Sequence, residues 1–342
     1  MRINMADGDT ETRVTIRTVA ADAGVSVAAV SKVMRNAYGV SEALRLKVEA
    51  SIERLGYRPS VAARGMRGRT FTLGVLLVGI DNPFLPGIYQ GIESVTESAG
   101  YKIMVGVGAA RARTEAQLIE QMIDNRMDGL ILVASQIAGG TLEQYARQIP
   151  IVVVGHHEPA AEGYDTINND DQMGARLAVQ AFAARGHRDI AFLTQSDRED
   201  HYADVAPQRE MGYRAAMTAA GLADHIRVLV LRQHGAPRAD DIERILSAPD
   251  RPRAIICWSD LDAVPLLSTA HRLGIRVPQD LAVIGYDNSP VAGLAMVDLT
   301  SIDQDGPRLG KLAAEALFSR MNGRSVAEHI LTEPTLIVRG SL

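Results

Sequence analysis

The chain holds one cysteine, one tryptophan and no apolar run approaching the roughly 18 to 20 residues that span a bilayer, and each shortage removes a class of protein. Cys257 has no partner for an internal disulfide, and its setting in Ala254-Ile255-Ile256-Cys257-Trp258 reads as a buried strand, so packing rather than redox chemistry is expected. Residues 1–10 lack the basic-then-apolar order of a signal peptide, which with the missing span gives a cytoplasmic expectation. Low-complexity blocks and long polar tracts are also missing. With 46% hydrophobic residues and 342 positions, the chain can bury at least two sizeable cores beyond a small N-terminal unit.

Catalytic signatures are equally scarce. There is no P-loop and no nucleophile elbow. Gly106-Val107-Gly108-Ala109-Ala110-Arg111 follows a strand but ends in Arg where the dinucleotide fingerprint needs Gly. His156-His157-Glu158 sits in a short loop flanked by Gly and Pro, where neighbours in sequence do not converge on one ion as i, i+4 histidines on a helix do. His187, in Gly186-His187-Arg188, suits a turn. No catalytic residue, metal or cofactor is expected.

Net charge is −5, which does not suggest a nucleic-acid binder, but the average conceals an asymmetry. Residues 1–70 carry 12 Lys and Arg against 7 Asp and Glu, or +5, while the remaining 272 carry 24 against 34, or −10. A basic head on an acidic body suits local phosphate binding with a steep salt dependence.

That head reads as three helices. Thr15 caps a first helix over 16–23 with Ile16, Val19, Ala20 and Ala23 on one stripe. Gly24 permits a sharp turn, Val25 plugs the gap, and Ser26 caps a second helix to about Met34. Val30, Val33 and Met34 face inward, leaving Val27, Ala28, Ser31, Lys32 and Arg35 outward. In a helix-turn-helix this face enters the major groove, and the alternative is an ordinary helix hairpin. Val27 and Ala28 suit a thymine methyl, Lys32 a guanine edge, and Ser26 and Ser31 phosphate. Ser41 caps a third helix with Leu44, Val48, Ile52 and Leu55, which Gly56 and Tyr57 stop.

Val14-Thr15-Ile16, Ala23-Gly24-Val25-Ser26, Val30-Ser31-Lys32-Val33 and Gly56-Tyr57-Arg58-Pro59 together resemble the head of LacI/GalR-family regulators. The resemblance implies that residues 60–66 form a hinge helix that folds when two copies meet in the minor groove. Arg64 and Met66 then join the DNA-binding set, with Met66 as the apolar wedge and Gly65 weakening the helix by roughly 0.5 to 1 kcal/mol relative to Ala.

From Thr72 onward, apolar runs at 73–80, 102–107, 129–134, 151–155, 190–194, 227–231, 254–258 and 281–286 alternate with helical stretches, the rhythm of parallel βαβ units. The fold class is therefore a small all-α three-helix head with a hinge helix, followed by an α/β core of two doubly wound parallel-sheet lobes. Such sheets bind ligands at strand carboxyl ends, so the cleft between lobes is the expected site. Asn82-Pro83-Phe84, Gly91-Ile92-Glu93, residues 126–132, Val277-Pro278 and Gly285-Tyr286-Asp287-Asn288 resemble the family's periplasmic-binding-protein-like core. The expected division is a tail at 1–13, helix-turn-helix at 14–59, hinge and linker at 60–70 and core at 71–342, with lobe 1 about 71–167 plus 302–322 and lobe 2 about 168–301 plus 329–342.

The resemblance also implies a homodimer on a pseudo-palindromic operator, no membrane partner, and a small-molecule effector. Positions matching the family place Asn82, Phe84, Arg209 and Asp287 around it. Arg and Asp can pair with neighbouring hydroxyls while an aromatic covers a sugar ring, so a carbohydrate fits. Trp258 and Ser259 join them at a strand end, Ser259-Asp260 standing where many members have Asn-Asp. Plainer roles are a surface ion pair with Glu210 for Arg209, a turn for Asp287 and core packing for Phe84. Residues 196–208, with His201, Tyr202 and Asp204, cover the cleft mouth or form a simple loop. The rival classes are a small-molecule-binding protein without DNA function and a nucleotide-dependent enzyme, and neither accounts for the basic head.

Overall fold

The structure is a computed structural model describing residues 14–34, 37–57, 68–195, 205–231 and 238–342. They fall into two compact units, Met1–Thr70 and Phe71–Leu342. In the first, helices α1 (Ile16–Asp22), α2 (Val27–Met34) and α3 (Glu42–Leu55) enclose Val19, Ala20, Ala23, Val30, Val33, Val48 and Tyr57. Several boundaries have a local cause. Thr15 and Thr18 exchange backbone and hydroxyl hydrogen bonds across the start of α1. Gly24 takes φ +59° in the turn, and Gly56, at φ +60°, returns its N–H to Glu53 and Ile52 carbonyls to end α3. Ser41 Oγ accepts the Leu44 amide at 3.3 Å. Removing that cap should cost about 1 kcal/mol. Ser41→Ala is therefore expected to speed amide hydrogen exchange in α3 severalfold, with exchange in the second unit unchanged.

The second unit contains two six-stranded sheets. Lobe 1 begins with β1 (Thr72–Leu77), α4 (Leu85–Ser98), β2 (Lys102–Val107), α5 (Ala112–Asp124), β3 (Gly129–Val133), α6 (Gly139–Ala146), β4 (Ile151–Val154) and β5 (Asp165–Asn169). Lobe 2 follows with α7 (Asp171–Ala183), β6 (Ile190–Thr194), α8 (Val205–Ala219), β7 (Arg227–Val230), α9 (Arg238–Ser247), β8 (Ala254–Cys257), α10 (Asp260–Arg272), β9 (Ala282–Asp287) and β10 (Thr300–Asp303). The chain then returns through α11 (Gly306–Met321) and β11 (His329–Thr332) to lobe 1 and ends in lobe 2 with β12 (Thr335–Ile337). The strand orders are β11-β5-β4-β3-β1-β2 and β12-β10-β9-β8-β6-β7, and among the described residues only the β10–β12 pair is antiparallel.

Alternate side chains of each central strand feed opposite faces. Leu73, Val75 and Ile131 pack under α4 and α11, whereas Leu76, Leu130 and Leu132 face Ile119 and Met122 of α5. Burial on both faces explains why the central strands read as continuous apolar runs. Among the described residues no helix is long and apolar enough to cross a membrane.

The first lobe boundary falls within two residues of the expected one, and the later boundaries differ from expectation at two places. Asn168 and Asn169 belong to lobe 1, because β5 runs on to Asn169. The second crossing falls after Asp303, so residues 302 and 303 stay in the lobe 2 sheet. Residues 329–332, expected in lobe 2, hydrogen-bond along β5 from His329↔Thr166 to Thr332↔Asn169. A four-residue edge strand carries no local signal of which sheet it joins. β5 itself, Asp-Thr-Ile-Asn-Asn, is buried throughout despite its polarity. Its Asp165 accepts from Arg320 Nε at 2.8 Å, Arg324 and the Glu328 amide at 3.0 Å. Burial pushes the Asp165 carboxyl up, but those donors outweigh it and hold it below the usual range.

Candidate functional site

Two surfaces carry the expected chemistry, one in each unit. On α2, the capping hydroxyl of Ser26 accepts the Ala29 amide at 3.1 Å, Val30 and Val33 are buried, and Ala28 and Lys32 are exposed. Ser31 is half-buried beside them. Val27 departs from expectation: instead of facing outward it is half-buried against the head core. As the first residue of α2 it lies next to the turn, where the helix meets its neighbours. Thr15 is exposed while serving its cap. Arg35, Arg64, Met66 and the expected hinge helix at 60–66 lie outside the described residues, as do His201, Tyr202 and Asp204.

The second surface is the cleft between the sheets' carboxyl ends. Asn82 follows β1 in lobe 1, Arg209 lies in the second turn of α8, and Asp287 ends β9. Asn82 Nδ2 donates to Asp287 Oδ2 at 3.4 Å across the cleft, while its Oδ1 accepts the Phe84 amide at 3.0 Å. Gln304, at the second crossing, donates to Asp287 Oδ1 at 2.6 Å. Asp287 holds φ +106°, a left-handed conformation costly for a side-chain-bearing residue and typical of positions whose aim matters.

Arg209 is 3% exposed and multiply engaged. Nε donates to Asp171 Oδ1 at 2.7 Å, Nη1 donates to the Trp258 carbonyl and lies 3.8 Å from Asp287 Oδ1, and the guanidinium carbon stands 3.6 Å over the Tyr286 ring. Glu210, its alternative partner, pairs with Arg214 instead. His157 Nε2 meets Asp171 Oδ2 at 2.7 Å. Burial works against the charge on Asp171, but Arg209 and His157 hold its carboxyl below the ordinary range. Asp287 moves the other way: burial raises its pKa, Arg209 opposes this, and Asp260 adds to it.

Asn82, Phe84, Arg209, Trp258 and Asp287 line one cavity of about 100 Å³, together with Asn169, Asp171 and Gln304. Ser259 does not. It is buried, and its Oγ accepts the Leu261 amide at 3.2 Å as the cap of α10, a role its position before a helix made legible. Phe84 is half-buried in the lining, and Trp258 turns its Nε1 to Asp262. Asp171, Gln304 and His157 are additions that spacing did not reveal, since two of them stand at crossings between lobes. Among the described residues no group of three or more His, Cys, Asp or Glu side chains is arranged to hold a metal ion.

Comparison with known proteins covers both surfaces. Residues 15–60 match the model for bacterial regulatory proteins of the lacI family, and residues 179–342 match a periplasmic binding protein-like domain. The HTH-type transcriptional repressor PurR of Photobacterium profundum is 31% identical over 341 residues, spanning 96% of this chain and 98% of the repressor. The ribose operon repressor of Escherichia coli is 32% identical over 335 residues, 96% of this chain and 99% of the repressor. Both relatives are transcriptional repressors rather than enzymes. Among solved structures, a transcriptional regulator CelR–cellobiose complex is 28% identical with a TM-score of 0.68 over 96% of this chain and all of that one. The lac repressor dimer bound to operator and an anti-inducer shares the fold at a TM-score of 0.81, 23% identity, 96% of this chain and 99% of that one.

Proposed function

The chain belongs to the lacI family of bacterial regulatory proteins, and on that premise we propose a transcriptional repressor that binds a pseudo-palindromic operator as a homodimer and answers to a carbohydrate in its cleft. The observation carrying the DNA half is α2, capped by Ser26, with Ala28 and Lys32 exposed in a head of net charge +5. Ala28 offers a methyl contact to thymine, Lys32 donates to guanine acceptors, Thr15 and Ser26 stand at the helix entrances where phosphate is met, and Ser31 adds a hydroxyl one turn into α2. Val27 adds apolar support from its half-buried position.

The cleft supports the effector half. Relatives named for ribose and a neighbour solved with cellobiose carry sugar recognition in the same architecture. Here Asp287, Asn82 and Gln304 supply paired polar groups, and Phe84 and Trp258 supply apolar faces. Because Asn82 belongs to lobe 1 and Asp287 to lobe 2, a ligand bridging them binds one lobe arrangement better than another. That differential affinity is what couples the cleft to operator binding.

Selection from a randomised duplex pool at two salt concentrations tests the proposal directly. An enriched palindrome with half-sites about one helical turn apart is expected, with affinity falling steeply as salt rises. Recovery of no common sequence by well-folded protein, with and without the sugar panel, would leave a ligand-binding protein without DNA function.

A further inference from the structure

Among the described residues lining the cleft cavity, Arg209 supplies the guanidinium, and its charge is already answered from within the protein. A guanidinium grips a phosphate or carboxylate through two adjacent N–H groups. Arg209 offers no such edge unengaged: Nε is held by Asp171 at 2.7 Å, and Nη1 by the Trp258 carbonyl. Each edge that includes Nη2 therefore shares it with an occupied nitrogen. Tyr286 covers one face of the group. An incoming anion would also confront Asp171, 1% exposed and held ionised, in a water-poor cavity where like charges repel strongly. His157 gives no relief, because its Nε2 is turned to Asp171 Oδ2.

We infer that Asp171 is a specificity-determining residue, which neutralises Arg209 and so restricts the cleft to an uncharged polyhydroxyl ligand, excluding phosphorylated and acidic sugars. This rests on the effector site proposed above. The remaining polar groups are amides, Asn82, Asn169 and Gln304, suited to hydroxyls. The cavity, about 100 Å³, lies well below the roughly 300 to 1,000 Å³ of drug-sized sites and suits a single small ring. Asp171 occupies the first turn of α7, immediately after the chain leaves lobe 1, so it sets this charge balance where the lobes join.

The test is calorimetric titration of the full-length protein with neutral pentoses, hexoses and disaccharides, each paired with its phosphate or uronate, for example ribose with ribose 5-phosphate. The neutral member is expected to bind at least tenfold tighter than its acidic partner. Asp171→Asn keeps an oxygen for Arg209 Nε and turns an amide NH2 to His157 Nε2 while removing the charge, and it should narrow that ratio at least tenfold. Wild-type protein that binds an acidic member as tightly as its neutral partner overturns the inference and leaves the effector site standing. Equal weakening of both members in Asp171→Asn does the same, being what a purely structural residue would give. Should the variant not fold, the wild-type ratio decides. If no member of any pair binds, the effector proposal fails and takes the inference with it.

Discussion

Asp287→Ala should lower affinity for the effector sugar by about tenfold or more and weaken its influence on DNA, while operator affinity without sugar stays within about twofold of wild type. Asp287 is met by Gln304 at 2.6 Å and by Asn82 at 3.4 Å, so it gathers both lobes onto one carboxyl group. Burial pushes the Asp287 pKa up to about 8, so it meets the sugar mainly as a neutral carboxyl; such a hydrogen bond is worth roughly 0.5–1.5 kcal/mol, and two of them correspond to the stated loss at about 1.4 kcal/mol per tenfold. The substitution leaves no orphaned ion, because Arg209 keeps Asp171 at 2.7 Å. Arg209→Ala would be the poorer experiment, since it takes the guanidinium from the buried Asp171 and leaves it His157 alone. Lys32→Ala is the mirror image: about tenfold weaker specific DNA binding with sugar affinity unchanged. Fluorescence anisotropy on the selected operator and calorimetry with the sugar read the two halves separately. Parallel losses in both assays from either variant would contradict the division of labour.

That division was legible in the sequence because its determinants are local. Thr15, Ser26 and Ser41 cap the helices that follow them within three residues, and Gly24 and Gly56 take the left-handed backbone their turns require. The apolar runs of β1, β3 and β8 announce strands buried on both faces. Legibility ends where an element is defined by a distant partner. β5 is polar in sequence, yet it is buried because Arg320 and Arg324, more than 150 residues later, answer Asp165. β11 is assigned to lobe 1 only by the free edge of β5. The same applies within the cleft. Asn82, Arg209 and Asp287 fall at motif positions and come together as expected, whereas Asp171 acquires its importance from an arginine 38 residues away. Ser259 failed in the opposite sense, because a residue at a strand end can equally be the cap of the next helix. Val27 was misplaced although the helical period was informative: it stands three residues before Val30 and seven before Met34, on the edge of the stripe that packs inward.

The largest stability effect is expected at the helix pair that backs the cleft, where Ile88 and Leu309 also line the cavity. Gly91 of α4 and Gly310 of α11 let these two helices approach until backbone meets backbone. A Cβ on Gly310 would stand 1.9 Å from the Ile88 carbonyl oxygen, and one on Gly91 would stand 2.0 Å from that of Pro307. Neither neighbour is a side chain that can swing aside, so the helices must separate. Overpacking of this kind costs typically 1–3 kcal/mol, and the helix-propensity gain of Ala over Gly returns at most about 1 kcal/mol. Gly310→Val loses most of that compensation through its β-branch and is expected to destabilise lobe 1 by about 3 kcal/mol. At roughly 2–4 °C per kcal/mol for domains of this size, thermal unfolding should move down by about 6–12 °C. Gly140→Ala is the matched control: it lies in α6 with nothing within 4 Å of the added carbon, and its unfolding temperature should hold or rise slightly. The consequence reaches the cleft as well. α4 begins next to Asn82 and Phe84, and α11 begins two residues after Gln304, so prising the helices apart displaces three groups that line the cavity. Gly310→Val should therefore lose sugar affinity in proportion to its lost stability. A variant as stable as wild type would show that the α4–α11 contact has slack, and the close approach would then not be what fixes the lobe 1 side of the cleft.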